Sequence, residues 1–551
     1  MGDTGNTRVL IAGGGVAALE AALALRDHAA DRVSIELLAP EPELWYQPLS
    51  VAEPFGLGEV MHFELDAIAR SLGAHRTPAG LTGIDAWRHV AHTTRNTEVP
   101  YDILLVACGA LPLPAVPGAV TFRGAADREK VAHLLDEIAS GEVRSVAFAI
   151  PWGAVWSLPA YELALLTAAH LDAHGIRGVE LTVVTPEAEP LQLFGPPASE
   201  AVRSLLDASD VALRTGAYTG GFGDGVLELV PGPELSADRI VALPRLEGAP
   251  LDGIPQTLAG FIPVDAHCHV HGVADVYAAG DITSFMVKQG GIATQQAEAA
   301  AEAIAAAAGA ELDPRPFHPV LRGLLLTGGE PWYLRRELSA APERAPAADY
   351  HALWWPPAKI VGRYLAPFLA ELAGVETPAE LPATAPDMVA VEVDLDAETI
   401  AKLATSQFAL EPGHREGESR VADVMSRDPV LVAPEDTLGE VAERLVQRGA
   451  TAAVVGEQGR PVGILTTADV VRASAARVQP NETPVRLWMT AEPVTVPPHW
   501  PAAAAALLMS EYRIHHLPVA EDDRVVGMLE LEDVRKAEML AGTGLGAAGD
   551  E

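Results

Sequence analysis

Strand-like and helix-like patterns of apolar and polar positions alternate along the first part of the chain. The apolar runs RVLIAG, RVSIELL and YDILLVACGA accompany the helical stretch AALEAALALRDHA. A second unit repeats this order with SVAFAI, AYELALLTAAHLDAHG and VELTVVTP. Strands that alternate with helices are typical of parallel α/β sheets, so the pattern predicts two such units in succession.

The C-terminal part of the chain contains an internal repeat. The segment VMSRDPVLVAPEDTLGEVAERLV, with PVGILTTADV after it, resembles WMTAEPVTVPPHWPAAAAALLMS, with VVGMLELEDV after it. Two copies indicate a pseudo-symmetric pair, because a solenoid needs more repeats to bury a continuous core. The Pro-rich, charged stretch before the repeat is typical of a linker.

Composition and charge narrow the classes of function. Of 551 residues, 49% are apolar, and the formal net charge is -37. A surface this acidic repels phosphate backbones, so we expect no nucleic-acid binding. The two cysteines, Cys108 and Cys268, provide neither a disulfide framework nor a zinc-type spacing. Since the chain has no signal-peptide pattern and no spanning apolar run, we expect a cytoplasmic protein.

The strongest chemical motif follows the first strand. Gly13, Gly15 and Ala18 stand in VLIAGGGVAALEAALAL, between an apolar strand and a helix. In a dinucleotide fingerprint the first glycine makes a tight turn, the second admits the pyrophosphate, and a small third residue lets the helix pack closely. The helix N-terminus attracts the phosphates. Because Ala39 ends the second strand, Glu41 is either the ribose-binding acid or a solvated loop carboxylate.

Two later stretches resemble the FAD signatures of the flavoprotein disulfide reductases and their relatives. Ala107 and Gly109 in YDILLVACGA stand in the second signature, and Gly280 and Asp281 in VYAAGDIT stand in the third. The resemblance implies that FAD is the cofactor and that Asp281 binds its ribityl chain.

Two further stretches resemble segments that border the flavin ring in type II NADH dehydrogenases and sulfide:quinone oxidoreductases. They are WYQPLSVAEP, which contains Pro48, and MVKQGGIATQQAEAA. A helix that begins near Gly291 would direct its positive end at the flavin N1/O2 edge, where negative charge accumulates on reduction. Lys288 is either a further cation for that charge or a surface lysine.

The repeat and the resemblance together predict the fold class. We expect an α/β protein in which an NAD(P)-like domain interrupts an FAD-binding domain, both Rossmann-like, with an α+β pair at the C-terminus. The predicted boundaries are 1–115 and 246–310 for the FAD-binding domain, 116–245 for the NAD(P)-like domain, 311–375 for an aromatic-rich region, 376–420 for the linker and 421–541 for the pair.

The second unit departs from the family pattern in two ways. Bulky Trp152 adjoins the remaining Gly153 where a pyrophosphate should approach the backbone, and Thr185 replaces the acid after the next strand, so binding of NAD(P)H in the usual pose is doubtful. The segment resembles that of the sulfide:quinone oxidoreductases at residues 159–162, but Trp156 stands at their cysteine position. Sulfide chemistry needs reactive thiolates, so we predict that this chain does not oxidise sulfide by the family mechanism.

Glu162 is the first candidate for the chemistry at the flavin. At the matching position in the related reductases, a glutamate lies near flavin N5. Glu162 is therefore either a proton relay that tunes the flavin or an acid favoured in the first turn of a helix by the dipole.

A Trp- and Pro-rich segment follows the flavin motifs. It contains Trp332, Trp354 and Trp355, followed by Lys359 and Arg363. In one interpretation these residues contact lipid head groups at the inner face of the membrane and admit a quinone. In the other, which we favour because the chain is acidic, the tryptophans are buried over the flavin or in a subunit interface.

The repeat resembles a pair of CBS modules, which often bind AMP, ATP or S-adenosylmethionine. The resemblance rests on GILTTAD, GMLELED and HHLPV. It implies that Asp469 and Asp533 hold ribose hydroxyls and that Thr466 receives a phosphate. Because Glu530 stands at the matching position of the second module and would repel phosphate, we expect one nucleotide site. The alternative is a structural disc without nucleotide.

These features predict a flavoenzyme. We expect a homodimeric, FAD-dependent oxidoreductase that acts on a small-molecule donor and acceptor, for which a quinone is one candidate, and is regulated by adenine nucleotide at the CBS pair. The alternative is a sensor or scaffold that binds flavin and nucleotide but turns over little.

Overall fold

Burial on both faces accounts for the apolar runs of the first sheet. All four residues of strand Ile103–Val106 and the last four of strand Thr7–Ala12 are buried. Strands of a parallel sheet are covered by other elements on both sides and are therefore apolar throughout. The five strands are parallel and lie in the order Val276–Ala278, Ile103–Val106, Thr7–Ala12, Val33–Leu38, His75–Thr77.

The second sheet has the same architecture. Its five strands are also parallel, and its central strands carry buried aliphatic side chains on both faces. They lie in the order Val120–Thr121, Arg239–Ala242, Ser145–Ala149, Glu180–Val184, Val211–Arg214. The chain therefore contains two Rossmann-type sheets, as the alternating pattern predicts.

The computed structural model has two compact units. It describes residues 6–230, 232–338, 344–354, 358–374 and 419–530, the last range with gaps at 458, 476–478, 482, 492, 501, 512–513 and 522–523. The larger unit contains the described residues up to 374 except Val230–Gly232, and the smaller contains those from 419 onward. Most of the predicted linker and Asp533 lie outside the described residues.

Two alanine-rich helices pack on the first sheet. The first helix, Val16–His28, follows the glycine turn and packs against a later helix, Gly290–Ala307, which we call the cavity helix. Small side chains at the interface bring the two helices close together. The other helices of this unit are Leu65–Ser71, Arg128–Ser140, Leu158–Ala173, Pro196–Ala208 and Leu365–Leu372.

Antiparallel strands complete the larger unit. The aromatic-rich region forms a three-stranded sheet of Val320–Leu325, Trp332–Glu337 and Ala347–Asp349. The remaining groups are Glu43–Tyr46 with Met61–Glu64; Leu81–Asp85 with Val90–Thr93 and Glu98–Pro100; Ala110–Leu113 with Arg245–Gly248; and Tyr218–Gly223 with Val226–Val230 and Leu235–Ser236.

A buried pair of carboxyl groups joins the two alanine-rich helices. Glu20, which is fully buried, accepts hydrogen bonds from the backbone N–H groups of Tyr364 (3.0 Å) and Leu365 (2.7 Å). Its carboxyl group also contacts Glu298 of the cavity helix, and burial together with the charge of Glu20 raises the pKa of Glu298 to about 7. The two groups therefore share a proton near neutral pH.

Replacement of Glu298 with glutamine is expected to stabilise the protein above neutral pH. The folded protein binds a proton at Glu298 that the unfolded chain releases near pH 4.5, so stability falls as pH rises from about 4.5 to 7. Glutamine removes this loss and should raise the Tm at pH 8 by about 2 °C or more, with little change at pH 5. Glu302→Gln is the control and should lower the Tm at pH 8. Arg315 holds the pKa of Glu302 below its ordinary value, so the charged carboxylate stabilises the folded protein. A Glu298→Gln protein that is less stable at pH 8 would contradict the shared proton.

The smaller unit consists of two repeats that exchange their opening segments. Met489, at the start of the second repeat, packs on Gly463 of the first, and Met425 of the first packs on Gly527 of the second. The first repeat contains Val421–Val424, Val430–Val432, Leu438–Arg448, Ala452–Glu457, Arg460–Thr466 and Thr467–Ala475. The second contains Thr490–Ala491, Ala502–Glu511, His516–Glu521 and Arg524–Glu530.

Candidate functional site

The glycine turn leaves the N-terminus of the first helix open. A Cβ atom on Gly13 would lie 2.2 Å from the carbonyl oxygen of Ala107, and the φ angle of Gly13 is +149°. Gly15 precedes the helix without a side-chain cap, and a Cβ atom there would meet nothing within 4 Å. Ala18 is fully buried between helix and sheet. The turn therefore has free N–H groups and open space where phosphates would bind.

The loop after the second strand is held by an arginine. Arg76 donates hydrogen bonds to the carbonyl oxygens of Ala39 (2.9 Å) and Glu41 (3.1 Å), and its guanidinium pairs with Asp66 at 2.6 Å. The Glu41 residue is exposed. Its assignment to the ribose stays a prediction, as does the alternative of a solvated carboxylate.

The other predicted FAD positions lie beside the glycine turn. Ala107 is buried against Gly13, and Gly109 has a φ angle of +72° with nothing within 4 Å of a Cβ atom. The N–H group of Gly280 donates to Gln296 Oε1 at 2.8 Å, and a Cβ atom on Gly280 would approach Ala17 of the first helix to 3.0 Å. The structure therefore brings all three signatures to one edge of the first sheet.

A cavity of 480 Å³ opens next to the second and third of these signatures, at Ala110 and Asp281. Several separate parts of the larger unit meet there, and they bring together Pro48, Glu162, Asp281, Lys288 and Lys359. Apolar and aromatic side chains form much of the remaining wall: Val51, Phe122, Trp156, Leu158, Leu243, Leu324 and Ile360. Few polar groups inside a largely apolar cavity are typical of a cofactor or substrate site.

Lys288 is buried, so the prediction of a surface lysine is wrong. It is 5% exposed, and its Nζ atom donates to the carbonyl oxygens of Thr283 and Phe285, the latter at 2.7 Å. Nζ also lies 4.0 Å from the centre of the Phe261 ring. Burial lowers the pKa of Lys288 to about 7, while it raises that of Asp281 on the same cavity wall.

The cavity helix begins at Gly290, one residue before the predicted Gly291. The side chain of Gln289 caps it by accepting a hydrogen bond from the N–H group of Ile292 at 3.1 Å. Gln289 and Gly290 both line the cavity, whereas Gly291 is buried in the first turn. The positive end of the helix therefore faces the cavity, where it favours negative charge.

Glu162 and Lys359 form a buried ion pair at the cavity wall. Glu162 is fully buried, and Lys359 Nζ lies 2.7 Å from each carboxylate oxygen. The N–H group of Leu326 donates a further hydrogen bond of 3.0 Å to Glu162. Burial raises the pKa of Glu162, and the charge of Lys359 opposes that rise. This carboxylate therefore has both a charged partner and access to the site, as a proton relay requires.

The aromatic-rich region forms part of the cavity wall. Trp354 is 2% exposed, and its indole N–H donates to the carbonyl oxygen of Ala358 at 3.0 Å. Because Lys359 pairs with Glu162, it does not face lipid head groups. Burial of Trp354 is thus the interpretation that the structure supports, while Trp355 lies outside the described residues. No helix in the described part of the chain is long and apolar enough to cross a membrane.

The nucleotide turn of the second sheet is filled by its own side chains. Trp152 is 7% exposed and packs against Tyr218, with 5.4 Å between the ring centres. Glu187, two residues after Thr185, accepts hydrogen bonds from the hydroxyl groups of Tyr161 (2.7 Å), Thr185 (3.0 Å) and Ser157 (3.0 Å). Because these bonds occupy both carboxylate oxygens, Glu187 is poorly placed to receive a ribose.

Neither cysteine is a thiolate candidate. Cys268 is buried, and burial raises the pKa of its thiol far above the ordinary value. Cys108 is accessible in its turn, but the surrounding protein raises the pKa of its thiol to about 11. Both thiols are therefore protonated at neutral pH, in agreement with the prediction from Trp156.

Comparison with known proteins identifies the larger unit. Residues 7–307 match the family model described as pyridine nucleotide-disulphide oxidoreductase. The chain belongs to this family. It is therefore an oxidoreductase. The crystal structure of the sulfide:quinone oxidoreductase of Aquifex aeolicus has a similar fold, with a TM-score of 0.55 and 18% identity over 62% of this chain and 87% of that one.

The smaller unit of this oxidoreductase is a tandem CBS pair. The CBS domain model matches residues 421–476 and 485–540. The CBS domain-containing protein YhcV of Bacillus subtilis is 31% identical over 22% of this chain and 86% of its own length. L-aspartate semialdehyde sulfurtransferase of Methanocaldococcus jannaschii is 30% identical, but the match covers only 22% of that protein.

The residues of the oxidoreductase site fit FAD. The open helix N-terminus after Gly15 suits a pyrophosphate, and the close approach of Gly13 to Ala107 leaves no room for a side chain in the turn. Asp281 borders the cavity, and among the described residues its carboxylate has no hydrogen-bond partner. An acceptor without a partner fits the hydroxyl groups of a ribityl chain.

The two repeats of the CBS pair differ at the ends of their closing strands. Asp469 is 3% exposed, and its carboxylate accepts hydrogen bonds from the N–H (2.7 Å) and hydroxyl (2.6 Å) groups of Thr466. At the matching place in the second repeat, Glu530 accepts a 3.4 Å hydrogen bond from Thr451, which also lies 2.6 Å from His516 Nε2. The predicted partner Asp533 lies outside the described residues, so its role stays a prediction.

Sequence reasoning missed three residues of the larger unit. The sequence suggests only lipid contact for Lys359, and it assigns no role to Glu187 or Arg322. Glu187 carries a weak signal, because it lies only three residues after the end of the strand. The pairing of Lys359 with Glu162 spans 197 residues and carries no local signal.

Proposed function

We propose that this protein is an FAD-dependent oxidoreductase in which Glu162 and Lys359 move protons at the flavin. The observation that carries the proposal is the cavity that borders the second and third signature segments at Ala110 and Asp281 and contains this buried ion pair. When bound, FAD supplies two-electron redox chemistry between a small-molecule donor and an acceptor such as a quinone.

Residues of the chain bind the cofactor, stabilise its charge and transfer the proton. The helix turn after Gly15 binds the pyrophosphate, and Asp281 orients the ribityl chain. The N-terminus of the cavity helix and Lys288 stabilise negative charge on the ring edge. Glu162 receives or gives the proton that accompanies electron transfer, and Lys359 holds its carboxylate in place. The apolar wall and buried Trp354 exclude bulk water.

The second sheet bears on the identity of the electron donor. Trp152 and Glu187 fill the place where a nicotinamide dinucleotide binds in other Rossmann-type units, which favours a donor other than NAD(P)H bound in the usual pose. The same observation favours the second candidate function, a flavin-containing sensor with little turnover.

Anaerobic titration of the holoprotein separates the two functions. NADH, NADPH, sulfide and a reduced quinone are added in turn while flavin absorbance near 450 nm, roughly the usual flavin band, is followed. Rapid bleaching by one of these compounds is the expected result for the enzyme, with NADH and NADPH slower than the reactive one. Indifference to all four donors would contradict it and favour the sensor.

The CBS pair is proposed to bind one adenine nucleotide at the cleft of Thr466 and Asp469. The carboxylate of Glu530 in the other cleft disfavours a second phosphate. Calorimetric titration with AMP, ATP and S-adenosylmethionine should therefore give one site per chain, which Asp469→Ala removes and Glu530→Gln does not. Two equal sites in the unaltered protein would contradict this assignment. Regulation requires in addition that the bound nucleotide change turnover.

A further inference from the structure

Arg322 is a buried cation at the cavity that the proposed function does not use. Strand Val320–Leu325 brings it to the cavity wall beside the cavity helix, where its carbonyl oxygen accepts a 2.7 Å hydrogen bond from Gln289 Nε2. Its own Nε atom is buried and has no hydrogen-bond partner. Among the described residues, no carboxylate forms an ion pair with its guanidinium.

The surroundings of Arg322 disfavour its charge. The opposite residue on the neighbouring strand is Arg335, which is itself paired with Glu337. Burial and then the charge of Arg335 lower the pKa of Arg322 to about 10, while the charges of Glu298 and Glu337 oppose this shift, so the side chain is still a cation at neutral pH. A buried cation without an ion pair is destabilised, and an opposite charge that approaches it relieves this cost.

The other cations of the cavity already have partners. Lys359 pairs with Glu162. The guanidinium of Arg123 lies 2.8 Å from Asp127, which is fully buried. Lys288 has no ion pair, but it donates to the carbonyl oxygens of Thr283 and Phe285. Within the described part of the chain, Arg322 is therefore the cavity-lining cation that keeps a buried nitrogen without a partner. The N-terminus of the cavity helix adds positive potential at the same place.

We propose that Arg322 binds the carboxylate of a small organic anion, and that one substrate of the proposed flavin reaction belongs to this class. The inference rests on the proposed function for the reaction, but the anion site itself is a property of the cavity. A guanidinium forms paired hydrogen bonds with a carboxylate, which a lysine cannot match. Phe122, Trp156 and Leu324 line the same cavity, so the ligand has an apolar body as well as its charge.

Calorimetric titration of the holoprotein with benzoate and its uncharged analogue benzamide tests this inference. We expect saturable binding of benzoate and at least tenfold weaker binding of benzamide. Arg322→Met should weaken benzoate binding at least tenfold, and Arg322→Lys should weaken it less. The matched control is Arg123→Gln, which changes a cavity cation that Asp127 already neutralises and should change the affinity less than twofold.

Several results would overturn the inference. They are equal affinities for benzoate and benzamide, no binding of either benzoate or acetate, or unchanged benzoate affinity in Arg322→Met. A shifted flavin reduction potential in that variant with unchanged benzoate affinity would assign the guanidinium to the flavin instead. If Arg322→Met does not fold, the comparison of benzoate with benzamide in the unaltered protein still shows whether the cavity prefers a carboxylate. Benzoate binding by a protein that no donor reduces would refute the proposed function but leave the anion site intact.

Discussion

Glu162→Gln is expected to lower turnover about 10²- to 10⁴-fold while FAD stays bound, which is the range for loss of a general acid–base group. Glutamine keeps the shape of the side chain and an acceptor for the N–H group of Leu326, but it cannot exchange a proton and leaves Lys359 without its counter-charge. Steady-state rates with the donor found by anaerobic titration, measured from pH 5 to pH 9, provide the test.

The control is a second buried carboxylate near helix Leu158–Ala173, that of Glu187. Glu187 is bonded to Ser157 and Tyr161 and does not line the cavity, so Glu187→Gln should keep turnover within about twofold. Equal turnover of Glu162→Gln and the unaltered protein would refute the proton relay. A loss of turnover in both variants would mean that Glu162 contributes to stability alone.

Gly13→Ala is expected to abolish FAD binding. Its Cβ atom would lie 2.2 Å from the carbonyl oxygen of Ala107, a distance that no van der Waals contact allows, and backbone on both sides of the turn must move. Displacement of this turn misplaces the helix N-terminus that would bind the pyrophosphate. The measurement is the ratio of flavin absorbance to protein absorbance after purification in excess FAD.

Gly175→Ala is the matched control for the strain of placing a side chain at a positive φ angle. Gly175 also has a positive φ angle, +66°, but a Cβ atom there meets nothing within 4 Å. Its replacement should cost about 1 kcal/mol of stability and leave FAD content unchanged. Full FAD content in Gly13→Ala would contradict the role of the first turn.

The sequence predicts the fold because the determinants of the two sheets are local. Glycines followed by an alanine-rich helix, and short runs buried on both faces such as Ile103–Val106, are visible without tertiary information. The family motif and the CBS repeat are equally local, and the family match and the repeat match agree with them.

The chemistry of the cavity depends on contacts that sequence patterns do not encode. The sequence allows Lys288 to be either a surface lysine or a cation at the site, and only the fold places the carbonyl groups of Thr283 and Phe285 around its ammonium group. The pairing of Glu162 with Lys359 and the position of Arg322 depend on how the three-stranded sheet packs on helix Leu158–Ala173 and the cavity helix. Distances across the cavity, and with them the pKa shifts, follow from tertiary packing alone.

The FAD content of the purified full-length chain tests the central claim most directly. After incubation with excess FAD and desalting, the account predicts a yellow protein with about one FAD per chain, and with tryptophan fluorescence quenched by the bound ring near Trp156. A colourless, folded protein that takes up no FAD would contradict the account.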